Sequence, residues 1–176
     1  MYYGVWTGKE MPDKPHVLIL GESHYSDREG NDTDKELHGS TSNVIDYYLT
    51  GESYYLFFDR IVHSFGYADT ERKEFWNKVC FGNYVEELCG VKTGRAFELF
   101  KTNRTDYNDS LFNFVNENDI DVIVVFSIAT YNNLPLRNRN AEEKEETFPI
   151  VSKEKGRRSW IRKFNLDYSR HSRERG

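Results

Sequence analysis

The sequence predicts an α/β fold around a mainly parallel sheet, on the strength of two apolar runs and the helical spacing between them. The first run, His16-Val17-Leu18-Ile19-Leu20, sits between Pro15 and Gly21. The second, Asp121-Val122-Ile123-Val124-Val125-Phe126, is β-branched through its middle. Continuous rather than alternating apolar residues belong to strands buried on both faces, as in a parallel sheet. Between the runs, apolar residues recur at three- and four-residue steps: Val44, Tyr47 and Tyr48, then Leu56, Phe57, Ile61 and Phe65, then Leu111, Phe112 and Val115. Strand, helices and strand in that order predict a right-handed parallel crossover.

Each element has its own local signal. Thr41 or Ser42 is placed to cap the first helix, and Asp109 or Ser110 the last, because short polar side chains accept from the free N–H groups of a first turn. Residues 75–85 read as a helix end followed by a short apolar segment that contains Asn83. Phe126-Ser127 closes the second buried strand, where a helix N-terminus is to follow. Helical spacing or placement in an apolar run predicts burial of Phe58, Phe65, Trp76, Phe112 and Phe126. After Pro135 the character changes. Residues 137–146 are highly charged, with Ala141 their only apolar member, and predict an exposed loop; 147–151 and 159–164 are short strand candidates. No repeat or boundary divides the chain, so residues 1–176 are expected to form a single domain.

Composition bounds the function classes. The 30% of charged residues would suit disorder, but the 27 Phe, Tyr and Trp residues offset chain entropy only if packed, which predicts a globular chain. No run of about 18 apolar residues is present to span a membrane, and no basic region followed by an apolar one marks a leader at the N-terminus. Cys80 and Cys89 lie nine residues apart without His or Cys partners at metal spacing, so buried free thiols in a reducing cytoplasm, and no metal, are expected. The net charge of −5 is uneven. Residues 153–176 hold nine Lys or Arg against three Asp or Glu, a balance of +6 that leaves −11 on the rest. A basic end on an acidic body is either an electrostatic footprint for phosphate or a solvated tail paired with that body.

Ligands of open α/β sheets lie at the carboxyl ends of the parallel strands, and Gly21-Glu22-Ser23-His24-Tyr25 occupies that place after the first run. Gly21 permits a tight turn and close backbone approach. Glu22 and His24 offer an acid/base pair and Tyr25 a flat surface; Glu and His serve equally as caps or solvated groups in such turns. The amide of Asn83 carries donors and an acceptor, so it can read a nucleobase edge. His171 lies near the C-terminus between Arg170 and Ser172. No G-x-x-x-x-G-K-[ST] or G-x-G-x-x-G is present, which argues against a P-loop or dinucleotide-binding fold.

Taken in order, the strand ending at Gly21-Glu22, the later Asn83, the second strand and the late His171-Ser172 resemble the uracil-DNA glycosylase superfamily over about Val17 to His171. More narrowly they resemble the branch whose motifs read L-G-E-S-H-Y and F-W-x-x-[VI]-x-F-x-N-Y-V, matched here from Leu20 to Tyr25 and from Phe75 to Val85. The resemblance implies a three-layer α/β/α fold. It implies that Gly21 and Glu22 contact a base or position water, with Ser23 and His24 completing the base-binding turn. Tyr25 would wall the pocket, Asn83 would pair with the base edge, and His171 would stabilise charge on the departing base. Ser172, Arg173, Arg157 and Arg158 would hold phosphate. No cofactor is implied, since two cysteines cannot bind the iron–sulfur cluster of some branches. Ser23 stands where one branch carries a catalytic Asp, His24 replaces the usual Pro, and no Pro separates His171 from Ser172.

Two functions follow as expectations. One is hydrolysis of an N-glycosidic bond, in which a carboxylate stabilises the oxocarbenium-like sugar or activates water while another group stabilises the base anion; a base within duplex DNA must first be flipped out. The other is a binding protein that keeps the pocket without catalysis, for a nucleotide, a modified base or a protein, its acidic body imitating DNA charge in the manner of an inhibitor. Both make nucleic acid, a nucleotide or a protein the partner, and neither needs a membrane.

Overall fold

The computed structural model describes residues 4–26, 40–52, 55–90 and 95–134, with the short strands at 144–146 and 161–163. Four strands form the main sheet: β1 (Trp6–Thr7), β2 (Val17–Gly21), β4 (Cys80–Asn83) and β6 (Val122–Val125), in the order β1-β4-β2-β6. The two apolar runs pair directly and in parallel, Val17 opposite Val122 and Leu20 opposite Val125. β4 flanks β2 on the other side, also in parallel, and β1 closes that edge antiparallel. Beyond the sheet, β3 (His24–Ser26) pairs in parallel with β5 (Leu88–Gly90), and β7 (Lys144–Glu146) pairs antiparallel with β8 (Ile161–Lys163).

The continuous apolar runs have the cause inferred from them. Along β2, Leu18 and Leu20 join one core and Ile19 the other, each without solvent exposure. On the first face they meet Tyr107, Leu111 and Val115 of α5 (Arg104–Glu117) and Leu99 of α4 (Arg95–Thr102). On the second face, Ile19 and Phe81 meet Ile45 and Tyr48 of α1 (Ser40–Thr50), Phe58, Ile61 and Val62 of α2 (Leu56–Ser64), and Phe75 and Trp76 of α3 (Arg72–Trp76). The result is a mixed α/β fold in which helices pack on a mostly parallel four-stranded sheet. Among the described residues no helix is long and apolar enough to cross a membrane.

Several local expectations are corrected. The cap expected at Asp109 or Ser110 lies inside α5, which starts at Arg104 after Asn103. Its apolar stripe begins a turn earlier than the sequence suggests, at Tyr107, and recurs at Leu111 and Val115. The polar Asn108 is buried on that stripe's flank because the Tyr84 hydroxyl donates to its Oδ1 at 2.8 Å. Thr41 and Ser42 fall within the first turn of α1. The buried face of α1 is Thr41, Ile45 and Tyr48, which leaves Tyr47 exposed; at the start of α2, Leu56 and Phe57 are exposed too, since Phe58, Ile61 and Val62 take the inward positions. Residues 144–146, expected in a loop, form β7; β8 falls within the candidate strand at 159–164, and 147–151 lies outside the described residues.

Phe58, Trp76 and Phe112 are buried as expected, and Phe65 and Phe126 pack half-buried against the second core. Cys80 and Cys89 are buried free thiols. Burial pushes the Cys80 thiol up, away from the reactive thiolate.

Candidate functional site at the carboxyl ends of β2, β4 and β6

β2 and β4 end side by side, with Gly21 and Asn83 as Cα partners in the last register position. The two strands stay in step beyond the sheet, because Tyr84 N–H donates to Gly21 O at 3.2 Å and Val85 N–H to Glu22 O at 2.9 Å. Gly21 is fixed by a close approach. A Cβ there would lie 2.3 Å from Asn83 Oδ1 and 3.3 Å from the Phe81 ring, so the Asn83 amide rests on a bare Cα. Gly21→Ala is expected to cost about 1–3 kcal/mol in a denaturant titration, the range for an overpacked core. Removing the obstructing amide as well, in Gly21→Ala with Asn83→Ala, should return part of that loss. Strict additivity of the two single changes would show that the amide is not what excludes the methyl group.

The third strand brings a carboxylate partner. After β6, Ser127 caps α6 (Ile128–Asn133), its Oγ accepting from Thr130 N–H at 3.1 Å. The same hydroxyl donates to Glu22 Oε2 at 2.7 Å. One serine thus joins the first motif to the helix that follows β6, and the Thr130 hydroxyl adds a bond to Gly21 O at 3.4 Å.

His24 is half-buried beside these groups. Its Nε2 lies 3.1 Å from Thr41 Oγ1, reached from the first turn of α1. Asn83 Nδ2 lies 3.3 Å from His24 Nδ1 and 3.2 Å from Nε2. That near-equal spacing sets the amide nitrogen against the imidazole ring as a whole rather than on one ring nitrogen. Burial disfavours the charged ring and lowers its pKa to about 4, so His24 is neutral at neutral pH. Glu22 is thus bonded to Ser127, and the neutral His24 meets Thr41 and Asn83. Ser23, between them, is 8% exposed, and its buried hydroxyl has no hydrogen-bond partner among the described residues. A buried hydroxyl left unsatisfied costs about 1–3 kcal/mol.

An aromatic flank borders the strand ends. Phe57, 41% exposed, lies 6.4 Å between ring centroids from both Phe81 and Phe126. Behind Asn83, the loop to β5 is pinned to α5: the Tyr107 hydroxyl donates to Glu87, Asn103 Nδ2 to Glu87 Oε1 at 3.1 Å, and the Ser110 hydroxyl to Glu86. Burial and the Glu87 carboxylate raise the Tyr107 pKa and keep it the proton donor. No group of three or more His, Cys, Asp or Glu among the described residues is arranged to hold a metal ion.

Of the residues the sequence singled out, Gly21, Glu22, Ser23, His24 and Asn83 come together at this edge. The backbone of Tyr25 pairs with Cys89 in the β3–β5 ladder, but its side chain lies outside the described residues, as do His171, Ser172, Arg173, Arg157 and Arg158. Ser127, marked by its place just after a buried strand, comes to this edge as well. Thr41 and Phe57 adjoin the site and were not expected there: Thr41 carried only a capping signal, and Phe57 only a place in a helical apolar spacing. Comparison of the chain with family models, with curated proteins and with solved structures finds no match.

Proposed function

We propose that this edge is a nucleobase pocket on a three-layer, uracil-DNA glycosylase-like fold, and that the protein hydrolyses the N-glycosidic bond of a damaged or modified base. The observation that carries the reading is the Asn83 amide lying over Gly21 and against the His24 ring, with Glu22 next to Gly21 in sequence, at the carboxyl ends of adjacent parallel strands. Asn83 supplies the bidentate amide that pairs with a base edge. Phe57 supplies flat apolar surface for its face, and Tyr25 is proposed as a second such surface. Glu22, oriented by the Ser127 hydroxyl, supplies the negative charge that an oxocarbenium-like sugar or an attacking water requires. His171 is the group proposed to stabilise the departing base, and Ser23 a further contact to it. The protein is incubated with single- and double-stranded oligonucleotides carrying uracil, hypoxanthine or xanthine, and alkali-labile sites are counted. Strand breaks at one modified base support the reading; none at any of them removes the hydrolase.

A second reading has its own observation. Glu22 accepts from the serine that caps α6, a contact that serves as well to lock the strand ends together in a binding protein without catalysis. Such a protein would hold a nucleotide, a nucleic acid or a protein partner, the last through the acidic body.

The basic end bears on the choice between them. If Arg157, Arg158, Ser172 and Arg173 contact a phosphate backbone, affinity for any oligonucleotide falls with salt. Each neutralised phosphate contributes a log–log slope of about −0.9 on duplex and about −0.7 on single strands. Reversing the charge of the three arginines should flatten the slope by about one unit per lost contact and weaken all sequences alike. Titration of labelled oligonucleotides at two salt concentrations measures this. No binding to either form at low salt would leave a free nucleotide or a protein as the ligand.

A further inference from the structure

One contact chain leads away from the base-reading amide of Asn83, through His24 to Thr41, and Thr41 has no role yet. Thr41 is 2% exposed although its side chain is polar, and it sits in the first turn of α1, on that helix's buried face. Its hydroxyl meets His24 Nε2 at 3.1 Å across 17 residues of sequence. The opposite contact of the imidazole is the Asn83 amide nitrogen, at 3.2 and 3.3 Å from the two ring nitrogens. The amide oxygen lies on the other side, over the Cα of Gly21. The amide is thus held between a ring that receives its NH₂ and a backbone that receives its oxygen.

We propose that Thr41 and His24 are positioning residues that fix the orientation of the Asn83 amide, and so decide whether the pocket accepts a ring bearing an oxo group or one bearing an amino group. The physical reason is the polarity of an amide. Turned by half a rotation, Asn83 exchanges its donor and acceptor ends, and a site that paired with an N–H/C=O edge then pairs with an amino/ring-nitrogen edge. A neutral imidazole presents an electron-rich face that attracts the N–H end of an amide, whereas an imidazolium would attract the oxygen end. Burial keeps His24 neutral, and Thr41 holds the ring's azimuth. The charged and titratable side chains around the ring come from several elements. Glu22 lies two residues before His24, Asp46 follows Thr41 by five residues on α1, and β4, which supplies Asn83, carries the Cys80 thiol and leads directly into the Tyr84 phenol.

This proposal rests on the pocket reading, and its test separates the two. The first measurement needs no ligand. In ¹⁵N-edited spectra of the full chain, the Asn83 side-chain protons should be displaced by the His24 ring current, and His24 should show one dominant tautomer. Thr41→Val, nearly isosteric but without the hydroxyl, should abolish both signatures; Thr41→Ser should restore them. Unchanged Asn83 and His24 resonances in a folded Thr41→Val would overturn the proposal. If Thr41→Val does not fold, His24→Gln gives the same reading through the Asn83 protons alone. The second measurement titrates uracil and cytosine, then hypoxanthine and adenine, as free bases. The wild type should prefer the oxo member of each pair by about tenfold, within the range for one bidentate contact, and Thr41→Val should lose that preference while Thr41→Ser keeps it. A preference that survives in Thr41→Val also overturns the proposal. If the spectra respond as expected but no base binds the wild type, the relay stands and the nucleobase reading falls.

Discussion

Replacing Trp76 with Ala is expected to lower stability by about 3–5 kcal/mol, the range for truncating a fully buried large aromatic. Trp76 has no solvent exposure. Its ring stands edge-on to Phe58 at 5.5 Å and to Phe81 at 5.7 Å, with Phe75 at 5.3 Å and Tyr48 at 6.5 Å. It therefore fills the junction between α1, α2, α3 and β4, and no single neighbour can collapse into the space. The Trp6 Nε1 bond to Trp76 O, at 2.8 Å, is to the backbone and survives the change, so the loss reports ring packing rather than a missing hydrogen bond. Trp76→Phe separates the terms further, since it keeps an aromatic ring and removes a buried indole N–H that has no partner among the described residues; it should cost clearly less than the alanine variant. Urea titration followed by circular dichroism gives both values. An unchanged m-value confines the effect to native-state stability, and a loss below about 1 kcal/mol for Trp76→Ala would mean that the second core relaxes around the void.

How much of this was legible depends on what burial leaves in a sequence. β2 and β6 were readable because a parallel strand covered on both faces is apolar along nearly its whole length, and Leu18, Ile19 and Leu20 on one side and Ile123, Val124 and Val125 on the other carry that mark. The start of α5 was not, because its buried face includes Asn108, made tolerable by a tyrosine 24 residues away. At the start of α2 the expectation of burial fell on Phe58, which is buried, while Phe57 beside it turns outward. At the site, Gly21, Glu22 and Asn83 were marked by their place at strand ends, which the sheet topology then made adjacent. The pairing of His24 with Thr41 spans a segment whose spacing says nothing about contact. Glu22 with Ser127 is more remote still, a bond across 105 residues that only the β2–β6 pairing brings within reach.

That bond shapes the second large effect. On the proposed hydrolase reading, Glu22→Gln is expected to reduce base excision by about 10²- to 10⁴-fold, equal to about 2.7–5.5 kcal/mol on the barrier, while changing stability little. Glutamine keeps an oxygen that can accept from the Ser127 hydroxyl, so the cap of α6 and the join between β2 and β6 are retained. What is lost is the negative charge, which matters only when positive character develops on the sugar; binding of the free base should move by no more than a few fold. Asn83→Ala should behave in the opposite sense, weakening base binding and blurring the choice among uracil, hypoxanthine and xanthine before it slows the step itself. Single-turnover cleavage of modified oligonucleotides, read beside base binding and thermal denaturation, places each variant on these axes. If Glu22→Gln excises within about threefold of the wild type, the carboxylate carries no part of the chemistry, and its bond to Ser127 is structural. If both proteins bind base and neither excises it, the pocket belongs to a binding protein, and the Glu22–Ser127 bond holds its strand ends in place.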